Sequence, residues 1–176
     1  MSETRPELPA TYRNAARSLL KFAIVMAILG LLSGVASQES SKKLGMDDPG
    51  FRIQATIHLA LVHGHMLLLG TILPLVLAGM MFLARHVGGR DLGPRTIRSL
   101  TLGYLPLASG TVALMLYKGY HFLLAARAGE RSLAAIDASF FGGATIVRHS
   151  VYGLFHTGMA IALAVFLVGI WRSLKE

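Results

Sequence analysis

The residues of this chain best suited to chemistry are its histidines, because they sit in apolar surroundings and recur at helical intervals. Seven residues along an α-helix advance about 700° and rise about 10.5 Å, so two side chains that far apart share a face. His58 and His65 have this spacing, and so do His149 and His156. His63 stands two residues before His65, about 200° around the helix, and must turn to another helix or another subunit, which leaves room for a homo-oligomer. An imidazole at lipid depth needs a hydrogen-bond partner or a ligand, since an unsatisfied polar group in hydrocarbon costs several kcal/mol. A lone histidine in a span usually packs on a backbone carbonyl or meets headgroups. The deeper pair, His65 and His156, points beyond packing, while His58 and His149 suit either role.

Without any cysteine, the chain can form no disulfide, thiolate metal site or covalently attached haem. Histidine, methionine, carboxylates and backbone remain as ligands. Haem b is the first expectation, held edge-on between two helices with His65 and His156 as axial ligands. Gly64, Gly70, Gly153 and Gly158 either leave room for a flat macrocycle or serve helix packing. Propionates would point to the outer surface, where Arg148, Lys118 and Arg127 offer positive charge. Two coaxial haems would collide at a spacing of about 10.5 Å, so the remaining imidazoles, His58, His63, His121 and His149, are read as propionate partners or as ligands of a separate copper or zinc ion. Such a site would serve electron transfer or the chemistry of a small gas or quinone, with a redox partner or quinone close by. The alternatives are a haem-free copper or zinc protein for metal binding or delivery, and a structural or assembly subunit whose histidines are only packed. Tyr117, Lys118 and Tyr120 read as an interfacial belt. Asp137 reads first as a helix cap, and otherwise as a carboxylate orienting a histidine.

The elements that must position these residues follow from composition. The chain has 176 residues, 53% of them hydrophobic and only 15% charged, with a mean hydropathy of +0.57. That is the composition of a chain that meets lipid. About 20 apolar residues span the hydrocarbon core, and four such runs are present, at residues 18–36, 52–86, 97–126 and 145–173. The fold class expected is all-α, an integral membrane four-helix bundle in a single domain over residues 1–176. Helix two is longer than a bilayer requires and must tilt, bend at Pro74 or project beyond it. Gly30 and Gly34 in helix one are spaced for close helix contact. The first run lacks a convincing cleavage pattern and is kept as a helix.

The net charge of +8 does not signal nucleic acid, because the basic residues lie at segment ends and in loops. They read as topology signals. Arg5, Arg13, Arg17, Lys21, Arg85, Arg90, Arg95, Arg98, Arg172 and Lys175 make ten of seventeen on one side, which places both termini in the cytoplasm. On the other side stand seven, with Lys42, Lys43, Asp47 and Asp48 in the first loop. Six histidines then share the outer half, and only His86 lies at the inner end. No carboxylate pair, nucleophile triad or phosphate-binding loop is evident, since Gly88-Gly89-Arg90-Asp91-Leu92-Gly93 lacks the strand such a loop needs.

Three strings carry a family resemblance: Leu29-Gly30-Leu31-Leu32-Ser33-Gly34-Val35, His63-Gly64-His65-Met66-Leu67-Leu68-Leu69-Gly70, and Ile136-Asp137-Ala138-Ser139 before a histidine-bearing last helix. From Leu20 onward the chain resembles a family of small bacterial membrane proteins known as domain of unknown function 2871. The resemblance implies a four-helix fold in the bacterial inner membrane and points to His63, His65, Asp137 and His156. The outer half of helix two is also similar to histidine-bearing helices of haem-copper oxidases and of a haem-and-copper membrane family linked to nitric oxide response, which implies haem.

Overall fold

The computed structural model describes residues 8–42 and 48–175, and no strand occurs among the described residues. Four helices are long and apolar enough to cross a membrane: helix one Ala10–Lys42, helix two Pro49–His86, helix three Pro94–Arg127 and helix four Thr145–Ser173. A short helix, Leu133–Ser139, joins helices three and four. Helix four begins and ends where its apolar run does. Helix one overshoots its run at both ends, because hydropathy marks the part that suits lipid whereas polar residues with good helix propensity carry the coil further. A Glu39–Lys42 ion pair of 2.7 Å lies in the last turn of that extension. Arg5, Pro6, Lys43 and Asp47 lie outside the described residues. Asp48 caps helix two, accepting from the N–H groups of Gly50 (2.8 Å) and Phe51 (3.3 Å) ahead of Pro49 in the first turn.

Helices two and three each contain a widened turn with five-residue hydrogen bonds, at Met66–Ile72 and Ser99–Tyr104. Both end two residues before a proline, Pro74 and Pro106. A proline ring presses on the carbonyl four residues back, and widening the turn upstream relieves it. At Pro74 the chain thus widens the turn ahead of the ring and continues as helix. Leu73 donates to Leu68, and the next N–H in that register would be that of residue 74, which is proline, so the Leu69 carbonyl loses its helical partner. The Tyr104 hydroxyl donates to it. Thr71 meanwhile reaches the carbonyls of Met66 (3.2 Å) and Ala23 (3.3 Å).

Glycines set how closely the helices approach. A Cβ on Gly70 would lie 2.6 Å from Met26 Cβ, and one on Gly119 would lie 2.6 Å from Leu59 Cδ2, so helix two is seated against helices one and three. Gly110 receives the Phe155 ring of helix four, and Gly158 receives Leu107. On helix three, Val112, Gly119, Leu123 and Ala126 meet helix two, whereas Gly103, Leu107 and Gly110 meet helix four. At 100° per residue these two sets fall on nearly opposite faces. Helices two and four accordingly flank helix three. Their main contact with each other is through the second half of helix two, where Leu77 and Met81 join Tyr104, Phe166 and Ile170 in the main core.

Two hydrogen bonds gather the starts and ends of the chain at one pole: Leu92 N–H donates to the Tyr12 hydroxyl (2.6 Å) and Arg90 N–H to the Ser173 carbonyl (2.9 Å). The short helix and the starts of helices two and four occupy the other. Outward along the long helices stand Leu31, Leu68, Leu102 and Leu154, all exposed, as lipid contact requires.

Candidate functional site

His65 and His156 are held in the same way. The Nδ1 of each lies 2.9 Å from the carbonyl four residues earlier, Leu61 for one and Tyr152 for the other. A carbonyl only accepts, so Nδ1 donates in both rings and Nε2 is the nitrogen left for another partner. A backbone bond that fixes tautomer and ring orientation is what a ligating imidazole uses. Tyr152 does more for its neighbour, stacking on the His156 ring at 6.0 Å and 18°. Sequence reasoning missed Tyr152; its only signal was the four-residue step to His156.

The other imidazoles differ. His58 packs edge-on against Phe122 of helix three at 4.7 Å. His63 turns to helix one, where its ring atoms line the space above Gly34, and its buried Nδ1 has no hydrogen-bond partner among the described residues. His121 spends Nε2 on the Ile136 carbonyl (2.9 Å) and the Ser139 hydroxyl (3.1 Å). His149 is exposed at the start of helix four, and His86 is exposed at the opposite pole. His58 and His121 both pack against the Phe122 ring, and no group of three or more histidine or acidic residues able to hold a metal ion occurs among the described residues.

The stripes of helices two and four that carry His65 and His156 start against one face of helix three. Lys118 and Phe122 are one turn apart and share a face there, the ammonium lying 5.5 Å from the ring centroid. From helix two, His58 lies on Phe122, and His65 follows seven residues deeper on the same stripe. From helix four, Arg148 reaches Lys118 through Asp137, and Tyr152 and His156 follow in four-residue steps. In this half helices two and four make no extended contact with each other. Of the four glycines near the pair, Gly64 and Gly153 have open space where a Cβ would stand, whereas Gly70 and Gly158 are taken up by Met26 and Leu107 and serve packing.

Asp137 departs from its expected role as a helix cap. It sits in the last turn of the short helix, whose cap is Ser132, the hydroxyl oxygen of which accepts from Ala135 N–H at 3.2 Å. Nor does it orient a histidine. Its carboxylate bridges two helices, with Lys118 Nζ at 3.1 Å and Arg148 Nη1 at 2.8 Å, the latter also donating to the Asp137 carbonyl at 3.0 Å. Partial burial pushes the carboxyl up, but the hydrogen bonds and charges of Lys118 and Arg148 outweigh it and hold Asp137 below the ordinary value. Two cations against one anion leave a positive charge at the rim of the histidine face. Tyr117 and Tyr120 are half exposed at this pole, as an interfacial belt requires, with Tyr117 also packed on Phe140 and Phe141.

Compared with protein families, with curated proteins and with solved structures, the chain finds no match in any of the three.

Proposed function

We propose that this chain is a membrane b-type cytochrome-like protein, binding haem b between helices two and four through Nε2 of His65 and His156. The observation that carries this reading is the shared backbone bond of the two rings, which engages Nδ1 of each and leaves Nε2 as the nitrogen a ligand would take. Haem held there would supply one-electron chemistry or the binding of a small gas. What the protein contributes is position and charge. Leu61 and Tyr152 orient the rings, the stacked Tyr152 restrains His156, and the net positive Lys118–Asp137–Arg148 group suits a propionate. Arg148 and His156 are eight residues apart, about 12 Å along the axis, so Arg148 would offer its guanidinium to a propionate of a haem held at His156.

The excess of Lys and Arg at the pole carrying the termini supports both termini in the cytoplasm and the histidine face outside, in a bacterial inner membrane. A quinone or a redox protein would then exchange electrons at the outer surface. The outer half of helix two, through its similarity to histidine-bearing helices of haem-copper oxidases, points the same way.

Absorption spectra of the detergent-solubilised protein, oxidised and then reduced, test the reading. A Soret band with sharpened visible bands on reduction is expected after expression with ample haem. Its absence overturns the proposal; copper or zinc found in its place would select a haem-free metal protein. Folding and partner binding unchanged after both histidines are replaced by Leu, with neither haem nor metal present, would select a structural or assembly subunit.

A further inference from the structure

At the pole opposite the histidines, the loop between helices two and three and the end of helix four enclose a groove of about 630 Å³. Arg90, Arg95 and Arg172 stand around it, and Ala164, Val165 and Val168 of helix four form its apolar wall. None of the three arginines is ion-paired among the described residues, and the one acid beside them, Asp91, faces Arg85 at 3.4 Å. The groove is therefore positive at its mouth and apolar along its length. From Arg172 to Ala164 the helix descends about 12 Å, the direction an acyl chain would follow. Trp171, 67% exposed and next to Arg172, has the placement of an interfacial anchor, which sets the guanidinium groups at headgroup level. The groove is also firmly built. Arg90 N–H is bonded to the Ser173 carbonyl, Leu92 N–H to the Tyr12 hydroxyl, and Thr96 is pressed against Gly169.

We infer that this groove binds one anionic phospholipid, its phosphate among Arg90, Arg95 and Arg172 and one acyl chain along Ala164, Val165 and Val168. Guanidinium groups recognise phosphate oxygens in pairs, and a cluster of basic residues between helices at a membrane face selects acidic headgroups. A soluble anion would leave the apolar wall unused.

Native mass spectrometry of the whole chain in detergent, titrated with phosphatidylglycerol or with phosphatidylcholine of the same acyl chains, tests this. One retained phosphatidylglycerol per chain is expected, favoured about tenfold or more over phosphatidylcholine. The triple variant Arg90→Ala, Arg95→Ala, Arg172→Ala should lose that preference, and the triple replacement by Lys should keep part of it. Val168→Trp, on an exposed face that it can fill without disturbing the core, should weaken retention of phosphatidylglycerol with all charges in place, and it decides the matter if the alanine variant fails to fold. Equal retention of the two lipids, displacement by inorganic phosphate, or retention untouched by Val168→Trp would each overturn the inference.

Discussion

The Tyr104 hydroxyl of helix three donates to the Leu69 carbonyl of helix two, the acceptor that the widened turn and Pro74 leave without a backbone donor. Tyr104 is fully buried in the main core, so no water can take its place. The bond lies four residues beyond His65 and ties helices two and three together just below the point from which helices two and four part. A local defect in one helix is thus the attachment point of the next.

Tyr104→Phe removes this donor and keeps the ring. It should lower stability by about 1 kcal/mol, since membrane-embedded hydrogen bonds between helices contribute less than their isolation suggests. Unfolding midpoints in a mild detergent check it, and an unchanged midpoint would mean that the carbonyl finds another donor.

The paired ring geometry separates the histidines into classes. His65→Ala or His156→Ala should each remove most of the Soret absorbance per protein, with part regained on adding imidazole. His121→Ala and His63→Ala should keep the band, because His121 Nε2 is occupied by Ile136 and Ser139 and the His63 ring faces helix one. Loss of the band in the His121 variant together with its survival in the His65 variant would reverse the ligand assignment.

The Asp137 bridge gives a pH dependence of defined sign. Its carboxyl lies below the ordinary value of 3.8, so the stability it contributes is present above that value and is lost as pH falls through its lower, folded value. With 39% of the side chain exposed, solvent screening limits the contribution to roughly 1 kcal/mol at most. Thermal midpoints of the natural protein should therefore drop on acidification below about pH 4. Asp137→Asn should start lower at neutral pH and lack this component of the drop, and high salt should narrow the difference between them.

Gly119 and Gly79 make a matched test of close packing. Alanine is intrinsically better than glycine in a helix by about 1 kcal/mol. A Cβ on Gly119 would meet the Leu59 side chain at 2.6 Å and its backbone nitrogen at 3.1 Å, whereas one on Gly79 meets nothing within 4 Å. Gly119→Ala should destabilise by about 1–3 kcal/mol despite its propensity, and Gly79→Ala should be neutral or stabilising. A Gly119 variant as stable as the Gly79 one, compared by the same unfolding assay, would show that helices two and three can separate at little cost.

The amino-acid sequence alone determined the four apolar runs, the heptad spacing of His58 with His65 and of His149 with His156, and the placing of basic residues at the segment ends. All of these are local: hydropathy over about 20 residues and a turn of 100° per residue fix which side chains share a stripe, whatever the helix packs against. Tertiary structure alone decided what each stripe faces. Helices two and four flank helix three because Gly119 admits Leu59 on one side and Gly110 admits Phe155 on the other, and no period along the chain encodes such a fit. For the same reason Asp137, legible only as a cap or an orienting carboxylate, became a bridge between Lys118 and Arg148, residues that lie 19 and 11 positions away and meet only when helices three and four do. The ring orientations of His65 and His156 came from the carbonyls of Leu61 and Tyr152, which every residue possesses and whose availability only the folded helix reveals.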